Sequence, residues 1–336
     1  MIVDFRSDTV TKPTKAMREF MLRAPVGDDV FEEDPTINEL EAFGANLFGM
    51  EAGLYCTSGT QTNQIAIKVH TNPGDEIICH EEAHIYRYEG GGIARNSQIS
   101  TRFLRGNFGR INPNDIEENI NPDNLHYPVT TIVSIEDTSN RGGGKVYDFN
   151  DIKQISKICK NNQLKFHLDG ARVFNALTVT GVNSVTYGQQ FDSISICLSK
   201  GLGAPVGSLL LGSKEFIHKA RRVRKYLGGG MRQAGIIAAG GLYALKNNIE
   251  RLSEDHRRAK EIETILKEQN WIKEVIPVET NIVVGILKDP HQQDKIIEEL
   301  KQKGILIVDF GKGRIRLTTH LDITDKHIAH FKQSLK

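Results

Sequence analysis

The chain has 336 residues, in which 43 basic and 42 acidic side chains leave a net charge of +1. Charges so nearly cancelled give no reason to invoke nucleic acid or a charged membrane surface as partner, and no apolar window approaches the span a bilayer requires. Small-molecule chemistry is the default that remains, in a chain long enough for one large and one small domain.

The start, Met1 to Asp8, lacks a basic region followed by a long apolar stretch, so a cytoplasmic protein is expected. Cys56, Cys79, Cys159 and Cys197 stand far apart in or beside apolar runs, as reduced core thiols do. The first clear helix is signalled by Asp34 as cap and Pro35 at the first helical position, with Ile37, Leu40 and Leu47 at near-helical spacing. Short alternating runs then recur among helix-like segments: 53–56, 76–79, 99–103, 131–135, 164–168, 193–198 and 208–211. That rhythm predicts an α/β fold with a largely parallel sheet. Helices are expected over 214–226, 231–246 and 251–268. The remainder alternates strands near 282–286, 305–308 and 315–317 with helices after Asp289-Pro290 and from Thr324. The reading is an N-terminal arm and large domain over 1–246 and a small α+β domain over 247–336.

Several segments carry candidate chemistry. Thr57-Ser58-Gly59-Thr60-Gln61-Thr62-Asn63 follows a strand and opens a helix, where free N–H groups and hydroxyls meet an anion such as a cofactor phosphate. Taken alone, the same residues read as an ordinary cap on Ser58 or Thr60. His84, after the 76–79 strand, suits ring stacking and proton relay near neutral pH, and His126, before the 131–135 strand, is a second candidate; each is also readable as a structural histidine. His80, Glu82 and His84 lack a helical frame for a metal, so no metal site is expected. Gly90-Gly91-Gly92 and Gly228-Gly229-Gly230 match no complete dinucleotide or Walker fingerprint and read as turns or close packing. The basic cluster Lys219, Arg221, Arg222, Arg224 and Lys225 reads first as a solvated helix face, then as a subunit contact.

Asp169 and Lys200 each sit just past an alternating run, and in open α/β sheets ligands collect beyond the carboxyl ends of strands. A lysine that can form a Schiff base and a carboxylate that can keep a pyridine nitrogen protonated point together to pyridoxal 5'-phosphate. Glycines at 170, 201, 203 and 207 allow backbone to approach a flat ring closely.

Long motifs occur in the order found in one family: Asp4-Phe5-Arg6-Ser7-Asp8-Thr9-Val10-Thr11, Pro25-Val26-Gly27-Asp28-Asp29-Val30, His167 to Arg172, Cys197 to Ser208, Gly228 to Gly235, and Arg316-Leu317-Thr318-Thr319-His320. The chain resembles the low-specificity L-threonine aldolases, over its whole length. The resemblance implies a fold-type I pyridoxal-phosphate enzyme that cleaves L-threonine, L-allo-threonine and related β-hydroxy-α-amino acids to glycine and an aldehyde. It implies Lys200 as the Schiff-base lysine, Asp169 on the ring nitrogen, Gly59 and Thr60 on the phosphate, and His84 stacked on the ring. Ser7, Arg172 and Arg316 match positions around the substrate carboxylate, where an arginine fork suits two oxygens. Arg232 matches a residue that reaches a neighbouring subunit's cofactor phosphate, in a homotetramer built as a dimer of dimers with shared active sites. The base that takes the β-hydroxyl proton is His84, His126 or a water held by either. Phe31-Glu32 stands where the family often has Tyr-Gly, and Glu136-Asp137-Thr138-Ser139-Asn140 where it often has Glu-Asn-Thr-His-Asn, which bears on substrate preference and proton relay.

Overall fold

The computed structural model describes residues 1–335. Its centre is a seven-stranded sheet whose order, edge to edge, is Ala52–Cys56, Ser208–Gly212, Ser193–Cys197, Lys165–Gly170, Thr130–Glu136, Glu76–His80 and Ser100–Leu104. All seven expected strands form, with ends moved by one or two residues. Ser208–Gly212 runs antiparallel to both of its neighbours, and the other pairings are parallel. Three of the strands are buried along their whole length, because helices cover both faces of the sheet.

Successive side chains leave a strand on opposite faces. Phe166, Leu168, Ile194, Ile196, Leu209 and Leu211 therefore join one core with the helices Pro35–Leu47, Phe149–Asn161 and Gly235–Asn247. Leu54, Cys56 and Leu210 pack on the other face, against Ile65 and Ala66 of the helix Gly59–His70 and Phe216, Ile217 and Ala220 of Lys214–Tyr226. That second face receives the polar side chains of residues 167, 169, 193 and 195, a point on which the site depends.

Asp34 caps Pro35–Leu47 as expected: Oδ1 accepts the N–H groups of Thr36 and Ile37 at 3.1 and 3.0 Å. Oδ2 accepts those of Gly27 and Gly235 at 3.2 and 2.8 Å, which ties two remote loops to the cap. The helix expected over 231–246 accordingly begins only at Gly235, because residues 231–234 form the turn that delivers the Gly235 N–H. Asp34→Ala leaves three buried donors and one half-buried donor without their acceptor and is expected to cost about 2 kcal/mol or more, read as a drop in the urea midpoint.

Residues after 250 build a four-stranded antiparallel sheet in the order Val308–Asp309, Arg314–Thr318, Ile282–Leu287, Ile272–Val275, with the helices Leu252–Lys267, Gln293–Gln302 and Asp325–Ser334. The strand expected over 305–308 is split. Ile305–Leu306 pairs parallel with Val3–Asp4, and Val308–Asp309 joins the antiparallel sheet. The grouping of the arm with residues 1–246 does not extend to Val3 and Phe5, which bury their side chains with Ile262, Leu266, Leu317 and Phe331. Among the described residues, no helix is long and apolar enough to cross a membrane.

Candidate active site

Asp169 ends the strand Lys165–Gly170, and Lys200 lies three residues beyond the adjacent parallel strand Ser193–Cys197, with Asp169 in register with Ser195. Both stand at the carboxyl edge of the sheet, where the crevice of an open α/β sheet forms. The Lys200 loop is fixed by its backbone: Gly203 N–H donates to Lys200 O at 2.8 Å, Ala204 N–H to Leu198 O at 3.1 Å, and Leu198 N–H to Gly207 O at 3.0 Å. Gly207 closes this loop at φ +106°, and a β-carbon there would lie 2.4 Å from the Tyr55 ring. Only glycine fits that position. Lys200 as a residue is half-buried.

Asp169 is buried and accepts Asn63 Nδ2 at 3.0 Å and the Ala171 N–H at 3.2 Å. Asn63 donates also to Glu89 at 2.9 Å, and Glu89 accepts Gln64 Nε2 at 2.6 Å and pairs with His84 Nδ1 at 3.0 Å. The His84 N–H meanwhile donates to Glu136 at 3.0 Å, which pins the start of a short helix over His84–Arg87. Burial by itself lowers the His84 imidazole, but the hydrogen bond to Glu89 and the charges of Asp169, Glu136 and Glu89 raise it above its ordinary value. Ligand atoms of His84, Glu89 and Asp169 all lie within 4.8 Å of one another. The hydrogen bonds between His84 and Glu89 and from Asn63 to both carboxylates account for that grouping without an ion.

A second group lies toward the four-stranded sheet. Arg172 is buried in a bidentate pair with Asp8, both contacts being 2.7 Å, so the Nε hydrogen and one Nη2 hydrogen are committed and the fork expected to face a substrate keeps only its remaining Nη hydrogens. Arg316 donates to Asn140 Oδ1 and to the Arg6 carbonyl, each at 2.9 Å, while its buried Nε has no partner. Burial and the nearby charge of Arg172 push Arg316 down to about 10. Ser7, whose hydroxyl accepts the Thr9 N–H at 3.2 Å, stands between the residues that hold the two arginines. An unpartnered guanidinium N–H beside a second arginine is a donor suited to a carboxylate.

At the far end, Ser58 caps Gly59–His70 by accepting the Gln61 N–H at 3.2 Å, so the ordinary cap exists, and Gly59 and Thr60 occupy the first helical positions with free N–H groups. The buried Ser208 hydroxyl has no partner and lies 3.7 Å from where a β-carbon on Gly59 would be. An anionic group there would satisfy both.

Two expected residues are not brought to this cluster. His126 is exposed in the loop preceding Thr130–Glu136, at the amino edge of the sheet, because a residue before a parallel strand lies at the end opposite the crevice. Arg232 is exposed, with its guanidinium 3.1 Å from Asp28. In the basic cluster, Arg224 and Arg221 turn inward instead of lining a solvated face: Arg224 meets Asp29 at 2.7 Å, and Arg221 meets Glu41 and Glu32. Gly92 and Gly229 are close-packing positions, facing the side chains of Gln64 and Gln61.

Among the departures, Phe31 is exposed and Glu32 holds φ +61°, a left-handed conformation that suits glycine. Asp137 is buried, accepts the Tyr187 hydroxyl at 2.6 Å, and is pushed up to about 7 by burial. The Ser139 N–H donates to Lys145 O at 2.9 Å. Sequence reasoning missed Glu89, Asn63 as a partner of Asp169, Asp8 as the partner of Arg172, and Asn140; the signal in reach was that Asn63 and Asp8 fall inside motifs already singled out.

Residues 4–290 match the beta-eliminating lyase family. The low-specificity L-threonine aldolase of Escherichia coli (strain K12) is 40% identical over 329 residues, covering 98% of this chain and 96% of that protein. Low-specificity L-threonine aldolase 1 of Arabidopsis thaliana is 39% identical over 335 residues, covering 98% and 94%. Among solved structures, a threonine aldolase from Leishmania major superposes with a TM-score of 0.85 at 21% identity, covering 99% of this chain and 98% of that one, a likeness of fold.

Proposed function

Since the chain belongs to the beta-eliminating lyase family and to the low-specificity L-threonine aldolases within it, we propose that it cleaves L-threonine or L-allo-threonine, and related β-hydroxy-α-amino acids, to glycine and an aldehyde. What carries the reading is the carboxyl edge of one sheet, which holds Asp169 and Lys200 at the ends of neighbouring strands, together with a buried, unpartnered Arg316 Nε on a strand of the four-stranded sheet. The groups present fit pyridoxal 5'-phosphate: Lys200 would hold its aldehyde carbon, Asp169 its ring nitrogen, and the Gly59 and Thr60 N–H groups with the Ser208 hydroxyl its phosphate. The cofactor, when bound, supplies the sink for the electrons of the breaking Cα–Cβ bond.

The chain's own residues do the rest. Arg316 Nε, the free end of Arg172 and Ser7 grip the amino-acid carboxylate, which orients Cα–Cβ for cleavage. His84 offers Nε2 as base because Glu89 holds the Nδ1 proton, so the tautomer is set before substrate arrives. The β-hydroxyl proton taken at Nε2 is balanced by the one delivered to Cα as glycine forms, and no other reactant is consumed. Arg232 lies outside its own subunit's cluster, and we assign it to the cofactor phosphate of a neighbouring copy within a cytoplasmic homotetramer; His126, exposed at the amino edge, is left without a role in its own subunit's cluster.

Product analysis with the four stereoisomers of threonine and added pyridoxal phosphate tests the reaction. Glycine and acetaldehyde without a keto-acid acceptor is the expected result, and a requirement for such an acceptor would reject it. His84→Asn is expected to retain cofactor and lose about 10² to 10⁴ in kcat. Glu89→Gln removes a charge that raises His84, so the base stays neutral to lower pH and the acid limb of the kcat profile moves to lower pH. An unmoved limb would remove His84 from that role.

A further inference from the structure

The mechanism above leaves unused a buried polar seam between the helix Gly59–His70 and the sheet. Asn63 and His70, seven residues apart, lie on one stripe of the helix, while His167 with Asp169 and Ser193 with Ser195 lie on one face of two adjacent strands. His70 Nε2 is 2.9 Å from Ser193 Oγ, and Ser193 Oγ is 2.9 Å from His167 Nδ1. His167 Nε2 is 3.1 Å from Asn63 Oδ1, and Asn63 Nδ2 is 3.0 Å from Asp169 and 2.9 Å from Glu89. Asn63, His167, Ser193 and Asp169 are each at most 2% exposed.

We infer that Asn63 is a positioning residue whose amide orientation, set from the far end of the seam by His70, Ser193 and His167, delivers one N–H each to Asp169 and Glu89. This deepens the reading of Asp169 and His84 given above and rests on it only where the cofactor is the readout.

The direction follows from the ends. Ionised carboxylates only accept, so Asn63 must turn Nδ2 toward them and Oδ1 toward His167. His167 then carries its proton on Nε2 and accepts at Nδ1. Ser193 donates to that nitrogen and accepts from His70 Nε2–H. Every hydrogen bond points the same way, toward the two carboxylates. Both histidines must be neutral for this, which agrees with their surroundings: burial pushes each imidazole down to about 3, with the charges of Lys165 and Lys219 adding to the effect at His70. A reversed Asn63 would set its carbonyl against two carboxylates. Through one amide, the group for the ring nitrogen and the group that holds the base His84 are oriented together.

The test uses 15N-histidine-labelled protein with and without pyridoxal phosphate, and cofactor labelled at its ring nitrogen. Wild-type protein is expected to show neutral Nε2–H tautomers at His70 and His167. Ser193→Ala, which removes one oxygen, should abolish the single His167 tautomer and shift the ring-nitrogen resonance toward its unprotonated position. Asn63→Leu should weaken cofactor binding about tenfold or more, the loss of a hydrogen bond to a charged acceptor. A wild-type Nδ1–H tautomer at His167 would overturn the inference. So would variants with wild-type cofactor affinity and an unmoved ring-nitrogen signal. Should Asn63→Leu not fold, Ser193→Ala reads the same signals. Protein with the expected tautomers and shifts that fails to cleave threonine would support this inference while rejecting the proposed reaction.

Discussion

Lys200→Ala is expected to abolish threonine cleavage and the absorption band of lysine-bound cofactor near the visible edge, while leaving stability within about 0.5 kcal/mol of wild type. The two halves of this expectation have separate causes. The loop that carries Lys200 is held by main-chain hydrogen bonds of Gly203, Ala204 and Leu198 and by Gly207 against Tyr55. None of these uses the lysine side chain, and the side chain is only half-buried. The amine is instead the group proposed to hold the cofactor at the carboxyl edge where Asp169 lies, so its removal deletes that covalent link without opening a core cavity. Absorption spectra, product assays and urea melts on one preparation check all three statements. An unchanged band would show that a different amine holds the cofactor.

What the sequence made legible depended on whether a side chain's partner was near in the chain. Asp34 and Pro35 announce a helix start because a cap acts two or three residues away. Asp169 and Lys200 are legible because a polar residue directly after a buried strand has little choice of where to be. The direction of Ser208–Gly212 is not legible: Leu209, Leu210 and Leu211 pack equally well in a strand of either sense, and only the short connection over 198–207 from the end of Ser193–Cys197 favours a reversal. Glu89 is hidden for the opposite reason to Asp34. Between Tyr88 and Gly90 it looks like an exposed loop charge, and it is buried only because Asn63 and Gln64 arrive from a helix 25 residues earlier. His126, with aromatic and proline neighbours, looks like a site residue, yet its place before its strand puts it at the wrong edge.

The tie between the seven-stranded and four-stranded sheets makes the second large prediction. Asp8 bonds Arg172, just after the strand Lys165–Gly170, at 2.7 Å and accepts Asn281 Nδ2, just before the strand Ile282–Leu287, at 3.2 Å. Burial alone would raise the Asp8 carboxyl, but Arg172, with Lys200 and Asn281, holds it well below the usual carboxylate range. Asp8→Ala strands a buried guanidinium and is expected to cost about 3 to 5 kcal/mol. Because Asp8 is depressed on folding, its contribution is fully present above the unfolded carboxyl value near 4 and is lost as pH falls toward the folded value. The stability gap between wild type and Asp8→Ala should therefore be flat from pH 7 to 5 and narrow below about pH 4. Removing Arg172 as well deletes the stranded charge, so Asp8→Ala/Arg172→Met should be less destabilised than the sum of the single variants, the coupling expected of one buried pair. KM for threonine should rise in all three variants, since Ser7 and the Arg172 fork lose the contact that aligns them with Arg316. Additive destabilisation, or a gap that widens in acid, would mean that the pair does not join the arm to the site.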